Sequence, residues 1–359
     1  MTTPSSTPPP RWSRERVAAW YDALPWLVGF NYLPRTAVNW TEMWQAGSFD
    51  LTTIEQELGW AEAIGLNAIR TNLPHIVWIH DPDGLLARLD AFLAAASAHG
   101  MRTMLCLFDD CAFSGREPYP GPQDPPVPGI HNSGGAASPG REVVRDRDAW
   151  PGLRRYVEDV VSRFSDDARV LAWDVFNEPG NESVFTRPER PHPDGPLLPH
   201  SLALTEAAIG WAREVGPSQP LTSGLWDLRW DEASRRRLLD ASDFVSFHDY
   251  LPRKHVEAQV ERLRAEGRPL VCTEWLARGL GSVPEALLPY FAEQRIGCFH
   301  WGLVNGRTQT HLPWPTFAKL AEGGLWHHDL LHADGTPWSA REIELFRTWS
   351  HRTNGSDQR

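Results

Sequence analysis

Short apolar runs alternate along this chain with longer segments whose apolar residues recur every three or four positions, the spacings of buried strands and of amphipathic helices. W-L-V-G-F-N-Y-L-P at 26–34 reads as a first strand. From Asp50, placed as an N-cap, the residues Leu51, Ile54, Leu58, Ala61 and Ile64 keep a helical rhythm that Gly65 stops. L-N-A-I-R-T-N-L at 66–73 is the second strand, Pro82 to His99 the second helix, and M-R-T-M-L-C-L-F-D-D at 101–110 the third strand. Helices near 151–164, 201–215, 231–239, 254–266 and 284–295 then alternate with strands over Val170–Phe176, 221–226, 243–250, 269–275 and 296–303.

Eight strands with alternating helices predict an α/β fold, a (β/α)8 TIM barrel. An open doubly wound sheet is the runner-up. It would offer a glycine-rich phosphate loop after the first strand, and F-N-Y-L-P is not one. The long connections, 111–149, 179–200 and 304–326, all follow strands, whereas every helix-to-strand connection is short. In a barrel those long βα loops gather on the C-terminal face, where functional walls are built. Residues 1–20, opening on a Pro/Ser/Thr stretch, are expected to be a flexible tail, 21–350 a single catalytic barrel, and 351–359 a second tail.

Composition narrows the function. A net charge of -11 argues against nucleic acid, anionic membrane or polyanionic substrates, each of which needs a basic face. The 18 Trp suit carbohydrate, because an indole covers the apolar face of a sugar while its N–H meets a hydroxyl, though most of them must be core. Cys106, Cys111, Cys272 and Cys298 lack C-x-x-C spacing and read as buried free thiols. No run of about 18 apolar residues marks a membrane span. The start M-T-T-P-S-S-T lacks the apolar core of a secretory signal, which gives a cytoplasmic expectation.

The candidate chemistry sits where apolar strands end in carboxylates. W-D-V-F-N-E-P-G-N at 173–181 carries Glu178 at a strand's C-terminal end, and P-L-V-C-T-E-W at 269–275 repeats the design with Glu274. Two glutamates at two strand ends are the minimal apparatus for retaining glycoside cleavage, one giving a proton to the leaving oxygen and one attacking the anomeric carbon. Such a pair is expected about 5 to 5.5 Å apart, with like charge and burial raising the pKa of Glu178.

From residue 26 onward the chain resembles the retaining glycoside hydrolases of clan A, with cellulase-like family 5 nearest. The resemblance rests on N-E-P at the end of strand four and a glutamate at the end of strand seven. It implies that Glu178 is the acid/base and Glu274 the nucleophile of a retaining β-glycosidase with a carbohydrate substrate, no metal and no cofactor. It also implies substrate-site roles for Arg70 beside the nucleophile, Asn177 at the sugar 2-hydroxyl, His248 and Tyr250 of F-H-D-Y, and Trp301 under the cleavage subsite. The chain departs from family 5 at strand three, where L-F-D-D-C stands in place of a histidine. Asp109 and Asp110 there either bind sugar hydroxyls or cap the loop.

Three other functions compete. A metal-dependent hydrolase would use the cluster His327, His328 and Asp329, but adjacent histidines are poor joint ligands, and packing of the C-terminal segment explains them better. A non-catalytic sugar-binding barrel has no need of a paired acid and nucleophile. A transglycosidase would use the same residues.

Overall fold

A computed structural model describes residues 10–227, 229–321 and 323–354. Eight parallel strands form one sheet: β1 Val28–Asn31, β2 Ala68–Asn72, β3 Arg102–Asp109, β4 Val170–Asn177, β5 Leu221–Thr222, β6 Val245–His248, β7 Leu270–Trp275 and β8 Gly297–Trp301. Their order is β5-β4-β3-β2-β1-β8-β7-β6, and a parallel bridge between Leu225 and Phe247 joins the two ends, so the sheet closes as a (β/α)8 barrel. Each predicted strand is present.

The helices follow the expected chemistry. Asp50 accepts a hydrogen bond from the Thr53 amide and opens Leu51–Ile64. Gly65 ends that helix at φ 90°, a conformation that costs a residue with a Cβ. Pro82–Ala98 is opened in the same way by Asp81. The outer ring continues through Trp150–Arg163, Leu198–Val215, Glu232–Ala241, Arg253–Leu263 and Pro284–Glu293.

The expected tails need correction. Arg14–Asp22 is a helix that plugs the bottom of the barrel, with Val17 and Tyr21 buried against Met104, Leu171, Phe244, Val271 and Phe299. The Tyr21 hydroxyl donates to the Arg295 carbonyl at 2.9 Å and accepts from the Gly297 amide at 2.7 Å. The Pro/Ser/Thr stretch masked this segment's apolar side, and residues 1–9 lie outside those described. At the other end a helix spans Ala340–Asn354, past the expected start of the tail at 351. No helix among the described residues is long and apolar enough to cross a membrane.

Candidate active site

The polar side chains that matter come from the last residues of the strands. In the parallel ladders Asn31 pairs with Arg70 and Trp301, Asp109 with Asn177, and His248 with Glu274. Paired residues stand at one level of the barrel, so consecutive strands deliver these groups to a common floor. Arg70, Asp109, Asn177, Glu178, His248, Tyr250, Glu274 and Trp301 all line one cavity of about 650 Å³. Asp110 does not.

Arg70 organises this floor. It is buried, and its guanidinium is densely bonded: Nε donates to Asp174 at 2.9 Å, Nη1 to Asn31 at 2.7 Å and to Glu274 at 2.8 Å, and Nη2 to Asn177 at 2.6 Å, with Asp174 also in ion-pair contact 2.8 Å from Nη2. Arg70 thus donates to Glu274, as the resemblance implies, and lines the cavity beside it. Glu274 accepts its second hydrogen bond from the Tyr250 hydroxyl at 2.6 Å. Burial, then the charge and hydrogen bond of Glu274, push the Tyr250 pKa well up and keep it a donor.

Glu178 is held differently. Its backbone lies at φ 46°, a left-handed conformation that a non-glycine residue adopts at a cost of about 1–2 kcal/mol. One carboxylate oxygen, Oε1, lies 2.9 Å from His248 Nδ1, while Oε2 accepts from Asn181 Nδ2 at 2.6 Å and from the Cys111 thiol at 3.1 Å. Burial pushes the Glu178 carboxyl up, but the hydrogen bond and charge of His248, with the bonds from Cys111 and Asn181, pull it below its ordinary value. The expected rise is thus overturned: four donor and charge effects outweigh desolvation. Single oxygens of Glu178, Glu274 and the Nδ1 of His248 lie within 4.8 Å of one another.

The two aspartates of L-F-D-D-C separate in space. Asp109 lines the cavity and accepts from Asn72 at 2.8 Å, Asn177 at 2.9 Å and the Cys111 amide at 2.9 Å; burial pushes its pKa up to about 6. Asp110 turns away from the cavity. It accepts from the Gly180 amide at 2.6 Å and the Ser201 hydroxyl at 2.5 Å, and burial pushes it up to about 7. A sugar contact by Asp110 is therefore excluded, because its carboxyl anchors the turn that follows Glu178.

Aromatic side chains complete the walls. Trp301 stands 5.7 Å from Trp40, Trp314 meets Tyr250 edge-on at 4.9 Å, and Phe113 stacks on Phe185 at 4.2 Å. Trp40, Trp226, Trp301 and Trp314 line the cavity, whereas Trp44, Trp173 and Trp275 are fully buried core. His327, His328 and Asp329 are buried behind this wall as packing. His327 packs 4.7 Å from Trp314 and 4.3 Å from His328.

Among the described residues, Glu178, His248 and Glu274 are the one group whose ligand atoms are close enough to share a metal ion. Their surroundings fit hydrogen bonding better: Glu274 already accepts from the permanent cation Arg70, which opposes a second cation there. All four cysteines are free and buried. Sequence reasoning missed Asn31, Asn72, Cys111, Asp174 and Asn181. The first two carried a legible signal, a polar residue closing an apolar strand. Asp174 carried none, since a lone aspartate inside W-D-V-F looks like any strand residue.

No protein-family model matches the sequence, and neither does any curated protein. Solved structures do. A GH5_18 variant from Bifidobacterium longum in complex with Manβ1-4GlcNAc superposes with a TM-score of 0.60 at 15% identity, covering 92% of this chain and 78% of that one. A GH5_18 variant from Streptomyces cattleya, with the same disaccharide, gives 0.59 at 14% identity over 92% and 81%. An endo-1,4-β-mannanase from Rhizomucor miehei gives 0.58 at 12% identity over 92% and 95%. Closed parallel topology and these superpositions agree: the chain has the (β/α)8 fold of the family 5 glycoside hydrolases.

Proposed function

We propose that this protein is a retaining β-glycoside hydrolase that works by double displacement. The observation that carries the proposal is the pair of carboxylates that line one cavity, with an oxygen of each within 4.8 Å of the other. Oxygens this close fit the near pair of a retaining enzyme, with carboxyl groups about 5 to 5.5 Å apart, better than the wider pair that makes room for an inverting enzyme's water.

Glu274 attacks the anomeric carbon, steered by Arg70 and Tyr250, and forms a glycosyl-enzyme. Glu178 gives its proton to the glycosidic oxygen as the bond breaks, and then takes one from the water that releases the sugar. His248 Nδ1 lies 2.9 Å from Oε1 of Glu178 and holds that carboxyl in place for the transfer. Asn177 serves the sugar 2-hydroxyl. One of its amide hydrogens is spent on Asp109, and the other meets only the Cys111 sulfur at 3.6 Å, a weak acceptor that a hydroxyl replaces.

Substrates are small glycosides or oligosaccharides, with β-mannosides first because related folds were solved with Manβ1-4GlcNAc. The test is an activity screen of wild type and Glu274→Ala on 4-nitrophenyl β-glycosides of mannose, glucose, galactose, xylose and arabinose. Release from one sugar that disappears in the variant is expected. Equal activity in the variant would sink the assignment of Glu274, and silence of folded wild type across the panel would favour a binding protein.

A further inference from the structure

Three loops latch together on the rim opposite Glu178, and we propose that they make this an exo-acting enzyme that removes sugar from the non-reducing end. The inference rests on the glycosidase function proposed for the same site. In a closed eight-stranded ring with this order, β8 lies across from β4 and β1 across from β5. Glu178 follows β4 and protonates the leaving oxygen, so the leaving group lies on the β4–β5 side. The sugar held by Glu274, and anything attached to its non-reducing end, extends toward β8 and β1.

That side is closed. The loop after β3 crosses to the loop after β8: the Asn132 amide donates to the Thr308 carbonyl at 2.7 Å, and the Gly129 amide to Gln309 Oε1 at 2.8 Å. His131 Nδ1 pairs with the Leu312 carbonyl at 2.7 Å. The loop after β1 is tied to both, through the Arg307 amide to the Arg35 carbonyl at 3.0 Å and Asn39 Nδ2 to the Gly134 carbonyl at 2.9 Å. The backbones meet directly. A Cβ on Gly306 would lie 2.4 Å from the Arg35 Cα, so only glycine permits the approach. Asn132 and Gln309, both at the seam, have φ of 43° and 55°, and Asn132 and Thr308 are buried, so little water enters the seam. The exposed residues that line the cavity are Arg229, in the loop after β5, and Thr316 and Phe317, further along the loop after β8 than the seam residues Thr308 to Leu312.

The closed end also offers a recognition group. Asn132 lines the cavity, and its Oδ1 is buried without a hydrogen-bond partner among the described residues. An unpaired buried acceptor is costly, and a hydroxyl of the terminal sugar satisfies it. Asn132 is thus a specificity residue for an unsubstituted non-reducing end.

The experiment uses 4-nitrophenyl β-glycosides of mannose and glucose, their β-1,4-linked triosides, and the same triosides blocked at the terminal 4- and 6-hydroxyls. Expected results are cleavage of the monoglycoside, stepwise loss of single sugars from the free trioside, and a rate on the blocked trioside lower by about 100-fold or more. Asn132→Gly, which keeps the left-handed backbone, should lower kcat/KM on the free substrate by about 10-fold or more and narrow the gap between the free substrate and its terminal 4-deoxy analogue. Cleavage inside the trioside, or equal rates on blocked and free triosides, would overturn exo action while leaving the glycosidase function intact. No cleavage of any substrate by folded protein would remove that function and the inference with it.

Discussion

The thiol of Cys111 lies 3.1 Å from Oε2 of Glu178, on the same oxygen to which Asn181 donates at 2.6 Å. Burial and the nearby carboxylates of Asp109 and Glu178 push the thiol pKa well up, so the sulfur stays protonated and acts as a donor. Cys111→Ala removes one of the bonds that hold the carboxylate. We expect kcat to fall by about 10-fold with KM nearly unchanged, and Cys111→Ser to restore most of the loss, as read from steady-state kinetics. A fall in Cys111→Ala that serine does not rescue would point to packing instead.

Arg70 fixes three side chains of the floor and pairs with the buried Asp174. Lysine keeps the charge but cannot make a planar fork, so Arg70→Lys breaks several bonds at once and strands the carboxylate of Asp174. The expected outcome is a stability loss of about 3–5 kcal/mol in denaturant titration and a drop in kcat/KM of about 100-fold or more. Wild-type stability in this variant would show that the web is not structural.

His248 is the strongest influence holding the Glu178 carboxyl below its ordinary value against burial. In His248→Asn the charge is gone and burial remains, so Glu178 titrates at higher pH. Carboxyl titration followed by NMR, with the pH profile of kcat/KM beside it, reads the shift. A downward or absent shift would mean that His248 does not charge the pair.

His327 has its pKa pushed down to about 3 from 6.5, by burial first and then by His131 and Arg278. Between those values the unfolded chain binds the proton and the folded one does not. Stability is therefore fully present above pH 6.5 and falls as pH drops, by up to about 1.4 kcal/mol per unit, levelling off below about pH 3. His327→Gln removes this contribution. Its unfolding free energy should decline less steeply than wild type between pH 6.5 and 4, and parallel curves would refute the linkage.

How much of this was legible in the sequence follows from the range of each cause. Strand count, helix caps and the placing of Glu178 and Glu274 at strand ends follow from local periodicity and from residues such as Asp50, Gly65 and Pro179, whose preferences act over a few positions. Those were sufficient for the barrel, and the barrel in turn brings the ends of β4 and β7 to one face.

Contacts between residues far apart in the chain were decided only by closure of the ring. The sequence has no period that joins Arg70 to Asp174, Cys111 to Glu178 or Asn132 to Thr308, and it gives no sign that Asp109 faces the cavity while its neighbour Asp110 turns to Gly180. The direction of the Glu178 pKa shift belongs largely to the same class, because it is a balance between burial and donors of which His248 and Cys111 come from two distant segments and only Asn181 from its own. Local sequence determined which groups stand at the mouth of this barrel; the register of distant strands and the crossing of its loops decided which of them touch, and therefore what each one does.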